Sequence, residues 1–187
     1  MTPSGYQLEL RPHPSSPASE VRAISAHVAR SASELRVAFR VEGDLSRVRF
    51  PERAVSARPK ELWRHTCFEV FLAIEGQPAY HEYNFTSSGD WELYAFRAYR
   101  DGAPVSDGVS APLVSSRGTS SEFELEATID LNRLSTDHRD ASLQVGLSAV
   151  IETDAGISHW ALRHPDGKPD FHNRDGFGLV LAAPRGG

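Results

Sequence analysis

The chain has a single cysteine, Cys67, and no sustained basic run. One thiol excludes an internal disulfide and a thiolate cluster for zinc or iron–sulfur, and it fits a reducing compartment. Its 20 Lys and Arg stand against 25 Asp and Glu, a formal net charge of -5. That balance offers no cationic face to a phosphate backbone, so nucleic acid is not an expected partner. No apolar run approaches membrane-spanning length, and the opening MTPSGYQLELRPHP lacks the basic and apolar regions of a secretory signal. A soluble, cytoplasmic protein without a membrane partner is expected. Nucleophile signatures are missing as well: there is no Gly-x-Ser-x-Gly elbow and no Gly-rich phosphate loop ahead of a helix. His65 shares strand parity with Cys67, but parity alone fixes no thiolate–imidazole contact. No catalytic residue is assigned, and catalysis is not expected.

What the chain does have is period-two alternation. Leu35, Val37, Phe39 and Val41 point one way and Glu34, Arg36, Arg40 and Glu42 the other. Phe123, Leu125, Ala127 and Ile129 repeat the pattern against Glu122, Glu124, Glu126 and Asp130, and the two strands are read as presenting opposite-facing solvent surfaces. Further strands are expected over Tyr6–Leu10, Val21–Val28, Arg47–Phe50, Thr66–Ile74, Tyr80–Thr86, Trp91–Arg100, Leu143–Ile151, Ile157–Leu162 and Gly178–Leu181, about eleven in all. Turn residues separate them at 75–78, 87–90, 101–102, 107–108 and 154–156. One helical turn, Asp130–Leu134, is expected with Asp130 as its N-cap. Pro12–Ser19 reads as a surface loop and Ala183–Gly187 as a frayed end. An all-β fold follows: one domain over residues 1–187, an antiparallel β-sandwich with Greek-key or jelly-roll connections. A closed barrel is the alternative.

The run Thr66–Ile74 is apolar on both faces, and Glu69 is its one charge. A carboxylate there must be paired, hydrogen-bonded or neutralised, since burying it alone costs several kcal/mol. Glu69 is therefore either an acceptor for ligand hydroxyls, a metal ligand, or half of a buried ion pair with an arginine. The next run carries Glu82 and Asn84 on one face, Tyr83 and Phe85 on the other. If the two runs form a hairpin, an odd register sets Glu69 near Asn84 and Phe71 near Glu82; an even one separates them.

Trp63, Trp91 and Trp160 sit in polar company, as stacking platforms for a sugar or as plugs at the sandwich ends. His164, Lys168, Asp170 and His172 follow the expected strand Ile157–Leu162 in a turn-rich loop. His164, Asp170 and His172 could ligate a divalent metal or cap turns, and their spacing matches no established zinc signature.

The segments LWRHTCFEVFLA, AYHEYNFTSSGDWELYAF and HWALRHPDGKPDFH together resemble the DOMON-like superfamily, the β-sandwich group that includes family-nine carbohydrate-binding modules and haem- or sugar-binding DOMON domains. Short bacterial DOMON-like proteins are the nearest in kind. Glu69-Val-Phe-Leu72 and Tyr80-His-Glu-Tyr-Asn-Phe85 match two strands of the carbohydrate-binding modules, and Asp170-Phe-His172 with Gly176-Phe-Gly178 resembles their closing part. The resemblance implies a sugar clamped between tryptophan rings. Haem-binding members use methionine with histidine or lysine; Met1 is the only methionine here, which leaves bis-histidine ligation open. The expected activity is binding of a small molecule, a carbohydrate or sugar derivative, by Trp63, His65, Glu69, Glu82, Asn84, Trp91, Trp160, His164, Asp170 and His172. The alternatives are a haem- or divalent-metal-binding protein using His65, His164 or His172, and a structural or interaction module; no cofactor is assigned with certainty, and oligomeric state is left open.

Overall fold

A computed structural model describes residues 5–17, 20–52, 61–105 and 111–184. Along the chain run β1 (Tyr6–Pro12), β2 (Val21–Arg30), β3 (Glu34–Gly43), β4 (Cys67–Ile74), β5 (Tyr80–Phe85), β6 (Trp91–Ala98), β7 (Asp101–Pro104), β8 (Leu113–Gly118) and β9 (Glu122–Asp130). The short helices α1 (Leu131–Leu134) and α2 (Thr136–Asp140) follow, then β10 (Leu143–Thr153), β11 (Gly156–Ala161) and β12 (Leu179–Leu181). All strand pairings are antiparallel.

The strands form the two layers of a β-sandwich. One layer has the order β1-β2-β3-β9-β8; the other is β7-β6-β5-β4-β10-β11, with β12 also on β10. β1 joins them, since Tyr6–Leu10 pairs with β2 while Arg11 and Pro12 pair with β11. Between the layers lies the core, where Phe39 meets Phe68 at 5.2 Å between ring centroids, with Val70, Leu72, Leu125, Ile129, Val145 and Leu147 all buried around them. Alternation dictates this, because each strand turns every second side chain to the opposing sheet.

Several expectations are corrected. β3 and β9 are neighbours, with Leu35 opposite Ile129 and Phe39 opposite Leu125, so their charged faces form one solvent surface and not two opposed ones. Arg40 bridges that surface to Glu122 on β9, 2.6 Å away. The run Arg47–Phe50 is not a strand: Leu45–Arg47 forms a 3-10 turn capped by Asp44, and only Val48 makes an isolated bridge, to Thr153. The 101–102 dipeptide begins β7; the turn lies before it, where Arg100 adopts a left-handed φ of 55°. The 107–108 turn, Ala18–Ser19 and the last three residues of the tail lie outside the described residues. Asp130 caps α1 as expected, its Oδ1 accepting from the Asn132 N–H at 3.0 Å, whereas α2 and the exposed edge strand β8 carry no alternation that would announce them.

Part of the outer face of the β4 sheet is also covered, which explains why Cys67–Ala73 is buried throughout while Ile74 at the end is half-buried. Phe71, Ala73 and Tyr80 form a second, smaller core with Phe177, covered by the chain that follows β11. This layer fits closely at Gly146, where an added Cβ would stand 2.8 Å from Phe177 Cδ1. Gly146→Ala is therefore expected to destabilise the protein by about 1–3 kcal/mol, as overpacking does. Urea unfolding measures it, and an unchanged midpoint would show that the Phe177 ring yields freely.

Candidate functional site

β4 and β5 pair in the odd register, Glu69 opposite Asn84 and Phe71 opposite Glu82. β6 extends the face by setting Tyr94 opposite Glu82 and Phe96 opposite Tyr80, and β10 adds Ser148 opposite Glu69. Alternation thus places Glu69, Glu82, Asn84, Tyr94, Phe96 and Ser148 on one outer face. The cover supplied by Phe171, His172 and Phe177 is incomplete, and it leaves a cavity of about 450 Å³. Glu69 and Glu82 line it together with Trp63, Tyr94, Phe96, Arg100, His159, Phe171 and His172. The volume is in the range of small-molecule sites.

Glu92 brings Trp63 to the rim. Its carboxylate accepts from the N–H groups of Glu61 (3.0 Å) and Leu62 (2.9 Å), holding the 3-10 turn Leu62–Arg64 against β6. The Trp63 ring is 43% exposed, and the Arg64 guanidinium lies 5.0 Å from its centroid. On the opposite rim, Arg100 Nη2 donates to Asp170 Oδ1 at 2.8 Å, and the Tyr99 hydroxyl donates to Oδ2 at 2.7 Å. Asp170 Oδ1 also accepts from the His172 N–H at 3.2 Å, so this one carboxylate fixes the chain that carries Phe171 and His172. Burial works against the Asp170 charge, but the Tyr99 and Arg100 hydrogen bonds outweigh it and hold the carboxyl below its usual range.

Neither floor carboxyl has a basic side chain hydrogen-bonded to it among the described residues. Ser148 donates to Glu69 Oε2 at 2.9 Å, and Asn84 Nδ2 donates to Glu82 Oε1 at 2.8 Å. The arginine partner considered for Glu69 is thus replaced by a neutral hydroxyl. Burial, reinforced by the charge of Glu82, pushes the Glu69 carboxyl well above the carboxylate range despite the Ser148 bond. Burial likewise raises Glu82 to about 7, with Glu92 adding to the rise and Asn84 and Arg100 opposing it. Two carboxyls that share a face and exclude water hold on to protons that exposed ones release.

His172 completes the floor. The Arg100 N–H donates to the Tyr80 hydroxyl at 3.1 Å, and that oxygen stands 2.8 Å from His172 Nδ1. With Tyr80 donating to Nδ1, the ring proton sits on Nε2, 3.7 Å from Glu82 Oε2. That separation would suit an ion pair, but burial and the nearby Arg100 lower His172 to about 4. At neutral pH the contact joins a neutral imidazole to a partly protonated carboxyl.

Of the ten residues singled out in the sequence, Trp63, Glu69, Glu82 and His172 line the cavity. Asn84 lies fully buried beneath it, between Glu82 and Cys67. Asp170 holds the rim. Trp160 is 4% exposed within the main core, its Nε1 donating to Ser158 Oγ at 3.0 Å. Trp91 packs against the same core beside Tyr83. The clamp of two tryptophans therefore does not form among the three; Trp63 faces aromatic residues of other kinds. His65 is exposed and paired with Glu152 (2.9 Å), and His164 Nε2 bonds the Arg11 carbonyl (2.8 Å). With His172 bonded to Tyr80, the three histidines proposed for a metal or haem are each committed to a different partner, and no group of three or more His, Cys, Asp or Glu residues that could hold a metal ion is present among the described residues. Cys67 is buried, and burial and the two carboxyls raise its thiol, away from nucleophilic use.

Tyr94, Phe96, Arg100, His159 and Phe171 were not singled out in the sequence. A signal for the first two existed. The 87–90 turn closes Phe85 onto Trp91, and counting back along that hairpin sets Tyr94 and Phe96 on the Glu82 face.

A β-sandwich with a partly covered outer sheet face is an architecture with counterparts among solved structures. Comparison of structures bears this out for the fold. The chain is similar to a Bacteroides uniformis protein whose assignment as carbohydrate-binding is itself provisional, at 15% identity and a TM-score of 0.64, covering 95% of this chain and 86% of that one. It is also similar to a family-nine carbohydrate-binding module from Caldicellulosiruptor kristjanssonii, solved with cellotriose, at 11% identity and a TM-score of 0.53, covering 87% and 75%. No protein-family model matches the chain, and no curated protein matches it in sequence.

Proposed function

We propose that the protein binds a carbohydrate or sugar derivative non-covalently in the outer-face cavity, as a DOMON-like module. The observation that carries this reading is the pairing of aromatic walls, Trp63, Tyr94, Phe96 and Phe171, with the buried carboxyls of Glu69 and Glu82 at the floor. Sugar rings offer apolar faces to stack on aromatic planes and hydroxyls to donate to carboxyl oxygens, so both halves of such a ligand are met. The cellotriose-bound module of the same fold supports it. The cytoplasmic location suggested by composition belongs to the same proposal.

Tryptophan fluorescence tests it. Trp63 lines the cavity while Trp91 and Trp160 pack in or against the core, so a bound sugar should change the emission of Trp63 above all. Titration with glucose or cellotriose is expected to give a saturable change. Trp63→Ala should abolish that change and weaken binding about tenfold, the loss of roughly 1.4 kcal/mol of stacking. Because Trp63 is 43% exposed and belongs to neither core, the melting temperature should stay within a degree or two. A flat titration across hexoses and short glucans would overturn the reading.

A further inference from the structure

We infer that the cavity prefers sugars carrying a free amino group, with the ammonium seated against the Glu69 and Glu82 carboxyls. This rests on the sugar-binding reading above and makes it specific. Carboxyl groups only 3% and 5% exposed are ordinarily matched by an arginine or lysine. Here Ser148 and Asn84 give one neutral hydrogen bond each, and the sheet face beside them opens into the cavity. Among the described residues, Arg100 is the one arginine or lysine on the lining, and it already answers Asp170. The missing counter-charge is one that a ligand can bring. An ammonium would make charge-assisted hydrogen bonds to the carboxyls in a setting shielded from water. The faces of Trp63, Tyr94 and Phe96 attract a cation on the same grounds. A neutral sugar would still find hydroxyl acceptors, but it would leave the two acids facing each other without a cation.

A proton signature follows. Glu69 is faced by Glu82, Ser148 and Cys67; Glu82 is faced by Asn84, Tyr94, His172 and Arg100, with Glu92 nearby. Cys67 is raised, His172 is lowered to about 4 and Tyr94 is raised to about 12, so around neutral pH Glu82, raised to about 7, is the member of this set that changes charge. Seating an ammonium should expel a proton from the pair, whereas a neutral sugar should not.

Isothermal titration of the full chain with D-glucosamine, D-glucose and N-acetyl-D-glucosamine, near neutral pH in two buffers of different ionisation enthalpy, tests this. Glucosamine is expected to bind about tenfold or more tightly than the other two, with a proton released on binding. In Glu82→Gln, once its melting curve shows a folded protein, the ratio of glucosamine to glucose affinity should fall towards one. The wild-type ratio decides the matter if that variant does not fold. Glucose or N-acetylglucosamine binding as tightly as glucosamine would overturn the amino preference and leave the sugar site standing. Silence from all three sugars would overturn both.

Discussion

Replacing Glu82 with glutamine should stabilise the protein by about 3 kcal/mol above pH 7 and leave its stability unchanged below about pH 4.5. The Glu82 carboxyl is raised from 4.5 to about 7, chiefly by burial. Between those values the folded chain keeps a proton that the unfolded chain has lost, so wild-type stability falls as pH rises through the window and levels off above it. At about 1.4 kcal/mol per unit, the shift corresponds to the figure given. Glutamine keeps the oxygen that accepts from Asn84 and carries no charge to desolvate. It also relieves Glu69, whose own rise depends in part on the Glu82 charge. His172 and His81, both lowered to about 4, bend the profile the other way: each stays neutral in the fold while the unfolded chain binds a proton, so stability falls as pH drops below 6.5. Subtracting the wild-type profile from that of Glu82→Gln removes most of this contribution. Urea unfolding from about pH 4.5 to 8.5 supplies both profiles. Parallel curves would mean that Glu82 is ionised in the folded state at no cost.

Arg30→Ala should cost about 3 kcal/mol or more, a fall in melting temperature of about 6–12 °C for a chain of this size. Arg30 ends β2, and its guanidinium gathers five backbone carbonyls from two segments. Nη1 donates to Leu181 (3.1 Å) and Ala182 (2.9 Å) at the end of β12. Nη2 donates to His138 (3.0 Å), Arg139 (3.1 Å) and Ala141 (2.8 Å) at the end of α2. α2 is too short to hold itself together, and β12 has only three residues, so both depend on this fork. A single hydrogen bond to a charged group contributes about 1.5–3 kcal/mol, and the five are not additive because the carbonyls regain water when the side chain is removed. Lysine is a point charge without the planar fork and should recover less than half of the loss. A change below about 0.5 kcal/mol would place Arg30 among ordinary surface residues.

The strands that frame the site were legible because alternation fixes the parity of each residue. Parity within each strand left two registers open for β4 and β5, and the odd one that forms brings Glu69 and Glu82 onto one face. Parity does not say what lies over a face. The cover after β11 comes from a segment with no period, so the partners of Phe171 and His172 could not be read in advance. Nor could the fates of Trp91 and Trp160, since an inward-facing tryptophan among polar neighbours looks in sequence like an outward-facing one. The neighbours of β3 were hidden for a related reason: β9 reaches it only after most of the second layer has been laid down, a long-range pairing that local pattern does not encode. β8 escaped because its side chains are almost all exposed and carry no apolar stripe, Leu113 being 76% exposed.

The central claim places a sugar on the outer face of the β4 sheet. A crystal structure of the protein with a saturating saccharide tests it most directly. The account predicts a sugar ring against Trp63, Phe96 or Phe171, with a polar group within hydrogen-bond distance of Glu69 or Glu82. A saccharide bound elsewhere on the molecule, with this cavity empty, would contradict it.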